Sequence, residues 1–87
     1  MPRIVITHAV KDVERWLQGH DERHAAVPGI ANGADLVALD GSPQTALTFD
    51  VDDVSALTAM LADMPPDVAA QAESHGVLMP MTVYVER

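Results

Sequence analysis

Hydrophobic positions along the chain switch between a short period and a long one. Ile4-Val5-Ile6-Thr7 is a β-branched run that predicts a strand from Arg3 to Thr7 or His8. Ile4, Ile6 and His8 then share one face, with Arg3, Val5 and Thr7 on the other. From Val13 the period lengthens. At about 100° per residue, Val13, Trp16, Leu17, His20, His24 and Val27 fall on one stripe about 100° wide. Glu14, Arg15, Gln18, Asp21, Glu22 and Arg23 fall outside it. This predicts one amphipathic helix over 13–27, N-capped by Asp12 and ended by Pro28-Gly29. Asn32-Gly33 reads as a turn, Ala34 to Leu39 as a second strand, Asp40-Gly41-Ser42-Pro43 as a hairpin turn, and Thr45 to Val51 as a third strand. Asp52 or Asp53 caps a second helix with the stripe Val54, Leu57, Thr58 and Leu61, which Pro65-Pro66 breaks. Pro66 can open a short third helix over Asp67 to His75, closed by Gly76, and Met81 to Glu86 is the last strand.

The order β-α-β-β-α-(α)-β is the split βαβ pattern. It predicts an α+β, ferredoxin-like βαββαβ domain over 1–87, with a four-stranded antiparallel sheet and helices on one face. The uncovered face would carry Val5, Leu36 or Val37, and Val83 or Tyr84. An apolar sheet face of several hundred Å² is unusual on a monomer, so a second copy packed face to face is expected, making a homodimer.

Composition narrows the partners. The chain has 87 residues, 48% of them hydrophobic, with a single Trp, Tyr and Phe, so aliphatic residues and Met build the core. The net charge of −8 disfavours nucleic acid and anionic membrane surfaces. There is no Cys, which excludes disulfides, thiolate metal sites and cysteine nucleophiles and suits a cytoplasmic location. The first residues have no signal-peptide pattern, and no apolar run reaches the roughly 20 residues of a membrane span.

Nearly the whole chain resembles the dimeric α/β-barrel superfamily, which includes antibiotic-biosynthesis monooxygenase-like and polyketide-cyclase-like proteins. The likeness is carried by Ile4-Val5-Ile6-Thr7-His8, by Val10-Lys11-Asp12-Val13-Glu14-Arg15-Trp16, by His20-Asp21-Glu22-Arg23 and by Gly29-Ile30. Phe49-Asp50-Val51-Asp52-Asp53-Val54 and His75-Gly76-Val77 extend it. The resemblance implies a barrel at a dimer centre and, in each protomer, a cleft between sheet and helices for a small hydrophobic or aromatic ligand. Haem-degrading members use an Asn, Trp and His combination in that cleft. Here the only Asn, Asn32, falls in the expected turn, so the haem pattern is not met.

The candidate chemistry starts from two histidines standing where leucines would be expected. A buried imidazole needs a partner, because an unpaired buried polar group costs roughly 1–3 kcal/mol. His20 and His24, four residues apart on one helix face, are candidate proton-transfer groups, since imidazole titrates near neutrality. They could equally be hydrogen-bonded residues at the edge of the core. His8, at the strand end on the helix-facing side, would look into the same cleft, or into solvent. Trp16 and Tyr84 are candidate substrate contacts, although Trp16 suits the core and Tyr84 suits the dimer face equally well. His-x-x-x-His with His8 would make a workable chelate, but two histidines alone assign no metal, and no cofactor is expected. His75 reads as a cation at a helix end. Asp35, Asp50, Asp52 and Asp53 give no paired acid/base geometry, and Asp52 and Asp53 are better explained as caps. The expected function is small-molecule binding, as a cofactor-independent cyclase, isomerase or monooxygenase. The alternative is a non-catalytic dimeric binding module with structural histidines, which a cavity below about 300 Å³ would favour.

Overall fold

The computed structural model describes residues 1–87. Strand β1 (Arg3–Val10) leads to helices α1 (Val13–Gln18) and α2 (His20–Ala25), then to strands β2 (Ile30–Val37) and β3 (Gln44–Val51). Helices α3 (Val54–Ala62) and α4 (Pro66–Ser74) precede strand β4 (Val77–Val85). The sheet order is β2-β3-β1-β4, every neighbouring pair is antiparallel, and the helices lie on one face, giving the ferredoxin-like arrangement. No helix is long and apolar enough to cross a membrane.

Alternation along β1 is strict. Ile4, Ile6, His8 and Val10 are buried beneath the helices, and the residues between them face the open side. With Trp16, Leu47, Phe49, Val51 and Leu57, the three aliphatic residues form the core. Asp12 caps α1, accepting from the amides of Glu14 and Arg15 at 3.0 and 3.3 Å, and Asp53 caps α3, accepting from the Ala56 amide at 3.0 Å.

The expected single helix over 13–27 is instead two, broken at Gly19. A Cβ there would lie 2.4–2.6 Å from the imidazole of His75. The helix gives way where α4 brings a buried ring against its backbone. The expected turn at Asn32-Gly33 is a bulge inside β2, where the pairing with β3 shifts register between Ala31 and Ala34. Asn32 takes a positive φ of 56°, and its amide donates to Asp50 at 2.8 Å. β2 therefore starts at Ile30, ahead of the expected Ala34, and ends at Val37, short of Leu39. β4 begins at Val77, four residues before the expected start, and passes a cis Met79–Pro80 bond at a second register shift. Proline fits there because β4 is an edge strand and loses no central ladder bond.

Register decides the open face. Val5 sits opposite Thr48 on one side and Tyr84 on the other, and Ala46 sits opposite Leu36. Leu36, Leu78 and Tyr84 are all exposed on this face, whereas Val37 and Val83 share the parity of the helix-facing positions.

Candidate functional site

His8 is carried to the interior by the alternation of β1. Its ring meets Trp16 edge-on, with centroids 5.6 Å apart. Nδ1 lies 3.1 Å from the carbonyl oxygen of Ala9, which can only accept, so the ring proton sits on Nδ1. Nε2 is left as a buried acceptor with no partner. Burial lowers the His8 pKa below the ordinary 6.5; the Ala9 bond opposes this and the Arg23 charge adds to it. The ring is neutral at neutral pH.

Arg23 lies at the centre of the interior polar groups. Its guanidinium stacks 4.2 Å from the centroid of Trp16. One terminal nitrogen donates to the Trp16 carbonyl at 3.0 Å and to Asp35 at 2.7 Å, and the other donates to His75 Nδ1 at 3.2 Å. Guanidinium can only donate, so His75 accepts on Nδ1 and carries its proton on Nε2. That nitrogen is also buried and unpartnered, because Glu22 at 3.8 Å is beyond hydrogen-bond reach. Burial, then the Arg23 charge, push the His75 pKa below 6.5, so the expected helix-end cation is instead a neutral core group.

His8, Arg23 and His75 border a cavity of about 70 Å³ between the sheet and α3–α4, otherwise lined chiefly by hydrocarbon and by the thioethers of Met60, Met64 and Met81. The two unpartnered nitrogens, His8 Nε2 and His75 Nε2, are buried in rings that border it.

A second cluster lies outside the cavity. Asp35 accepts from His20 Nδ1 at 2.8 Å and from Arg23 on one oxygen, and from His24 Nε2 at 3.0 Å on the other. Burial would raise this carboxyl, but the bonds from His24, His20 and Arg23 outweigh it and hold it below the ordinary aspartate value. Gly33 leaves room for His24, since a Cβ there would lie 2.4 Å from Nδ1.

Of the five expected site residues, the structure brings only His8 to the cavity. His20 and His24 are drawn to Asp35 on β2 once the helix breaks at Gly19, and the His20 side chain is 42% exposed. Trp16 is fully buried beneath Arg23 and does not border the cavity, and Tyr84 stands on the opposite face of the sheet. Sequence reasoning missed Arg23, Asp35 and His75. Arg23 had a signal, because seven residues from Trp16 places it only about 20° away on the helical wheel. Asp35 falls inside the expected strand Ala34 to Leu39 and reads there only as one of several carboxylates; its partners His20, Arg23 and His24 all come from α2, a pairing no local signal marks. Nothing local marked His75.

No family model matches the chain, and no curated protein matches it. Solved structures do. An antibiotic-biosynthesis-monooxygenase-like protein from Bordetella bronchiseptica aligns with a TM-score of 0.73 at 12% identity, over 99% of this chain and 94% of that one. SnoaB, a cofactor-independent oxygenase from Streptomyces nogalater, gives 0.66 at 15% identity over 99% and 92%. A dimeric ferredoxin-like protein of unknown function from Thermobifida fusca gives 0.62 at 20% identity over 98% and 88%. The fold is thus ferredoxin-like, of the kind seen in antibiotic-biosynthesis-monooxygenase-like proteins. The resemblance read from the sequence holds at that level.

Proposed function

We propose that the protein is a homodimeric, small-molecule-binding oxygenase of the cofactor-independent kind, acting on an aromatic or polyketide-like compound with an acidic hydroxyl. The observation that carries this reading is the pair of buried ring nitrogens, His8 Nε2 and His75 Nε2, left without partners beside an apolar cavity. Neutral His8 takes the hydroxyl proton on Nε2 while the O–H electron pair stays on the substrate. His75 Nε2–H and Arg23 donate to the oxyanion that forms. Dioxygen from solution is then the oxidant: a ring carbon forms a C–O bond to it, the O–O bond breaks, one oxygen stays on the ring as a carbonyl, and the other leaves as water with the hydrogen lost from that carbon and the proton held by His8. The neighbours' descriptions as oxygenases support the reaction class.

The cavity of about 70 Å³ is well below the roughly 300 Å³ of small-molecule pockets. Substrate entry therefore requires Met60, Met64 and Met81 to turn aside, which unbranched thioether side chains do readily. The same small volume favours a second reading, a non-catalytic dimeric module with structural imidazoles. Oxygen uptake and thermal shift with 1,4-dihydroxynaphthalene separate the two. The oxygenase reading expects a raised Tm and uptake above autoxidation, falling by about 10²-fold or more in His8→Gln with the fold retained. A wild-type protein that shows neither response supports the module, and undiminished uptake in His8→Gln removes His8 as the base.

A further inference from the structure

We infer that His20, His24 and Asp35 form a binding site for a divalent late transition-metal ion, separate from the cavity. One donor atom from each lies within 4.8 Å of the other two. The two imidazoles are one turn apart on α2, with ring centroids 4.3 Å from each other, and the carboxylate comes from the facing strand β2. This spacing is close to what a small cation needs. Donors about 2.0–2.2 Å from a zinc ion in tetrahedral geometry sit about 3.3–3.6 Å from one another. His20 Nδ1 lies 2.8 Å from one carboxylate oxygen and His24 Nε2 3.0 Å from the other, so entry requires the His20 ring to turn toward the His24-bonded oxygen and the donors to adjust by about 1 Å.

Two nitrogens and one oxygen are a donor set for zinc or iron(II), and a poor one for calcium or magnesium, which prefer oxygen. Both rings now donate to Asp35 from the nitrogens that would face the metal, so binding requires each to carry its proton on the other nitrogen. Arg23 stays on one oxygen of Asp35 and fixes the carboxylate from behind, leaving the oxygen now bonded to His24 for the ion. Access is from the His20 side, where the ring is partly open to water, so positions not filled by protein are open to solvent or a small ligand. The chelate expected from sequence had His8 as its third donor. That ring is instead buried with Trp16 at the cavity, and Asp35 takes its place.

Calorimetry of untagged, EDTA-treated protein with Zn²⁺ at neutral pH tests the site, together with the visible absorption of the Co²⁺ form. The expected result is one ion per chain, nitrogen-ligated cobalt bands, and affinity at least about tenfold weaker in His20→Ala and in His24→Ala. His20→Ala keeps the test informative if Asp35→Asn or His24→Ala fails to fold, because the His20 ring is half out of the protein and makes only the Asp35 bond. Circular dichroism of each variant reports the fold. No zinc heat in the wild type, or equal zinc affinity in folded His20→Ala, overturns the assignment.

Discussion

Gly19 acts through the side chain it lacks. Its φ of −88° is open to any residue, so the requirement is space for the His75 ring, not backbone conformation. Alanine would gain about 1 kcal/mol of helix propensity but drive a methyl into a buried imidazole, and overpacking of that kind costs about 1–3 kcal/mol. Gly19→Ala should therefore lower the Tm in thermal melts, and a raised Tm would contradict the packing described. His8 and His75 make a second statement at this scale. Both titrate below 6.5 in the folded protein, so the unfolded chain binds more protons once the pH drops under that value. Their contribution is complete above about pH 6.5 and is lost progressively as the pH falls through the folded values. Arg23 lowers both groups, Asp35 and Glu22 oppose the shift in one each, and Arg15 adds to it at His75. Asp35, held below 3.8, adds a later loss at more acid pH. The Tm should decline from about pH 7 to about pH 5, less steeply in His8→Gln. A flat or rising Tm across that window would contradict the buried neutral rings.

Element by element, what could be read from sequence divides along physical lines. β1, β3 and the two capped helices after it were legible because their signals are local: β-branched runs, Asp caps and a proline at the first helical position. The break in the first helix was not, because its cause lies on α4. β2 and β4 were shortened because their bulges carry Asn-Gly and Pro, residues that ordinarily end a strand. The site followed the same division. His8 was placed correctly by period-two alternation along one strand. His20 and His24 were assigned to the cleft on the assumption of a continuous helix. With the helix broken, Asp35 on β2 gathers both rings and, with Arg23, ties α2 to the sheet edge.

At the scale of the molecule, the helices cover one face of the sheet and leave Val5, Leu36, Leu78 and Tyr84 on the other, among Thr7, Thr48 and Thr82. We propose that a second copy covers this face. Light scattering after size exclusion should give twice the chain mass of 9.3 kDa for the wild type. The double variant Leu36→Asp, Tyr84→Asp should run as a folded monomer, because it places charges inside the interface. A wild-type monomer at micromolar concentration would contradict the face-to-face pairing. Pairing would also leave the cavity and the Asp35 cluster untouched, since both lie on the helix-covered side of the sheet.

The central claim is that His8 presents an unprotonated Nε2 to a cavity able to take an acidic hydroxyl. Long-range proton–nitrogen NMR of ¹⁵N-histidine-labelled protein, titrated with 1-naphthol, tests it most directly. The free protein should show His8 as the Nδ1–H tautomer with an acceptor-type Nε2, and that resonance should move on adding naphthol while His20 and His24 stay in place. A protonated His8 Nε2 in the free protein, or a His8 signal indifferent to naphthol at saturating concentration, would contradict the account.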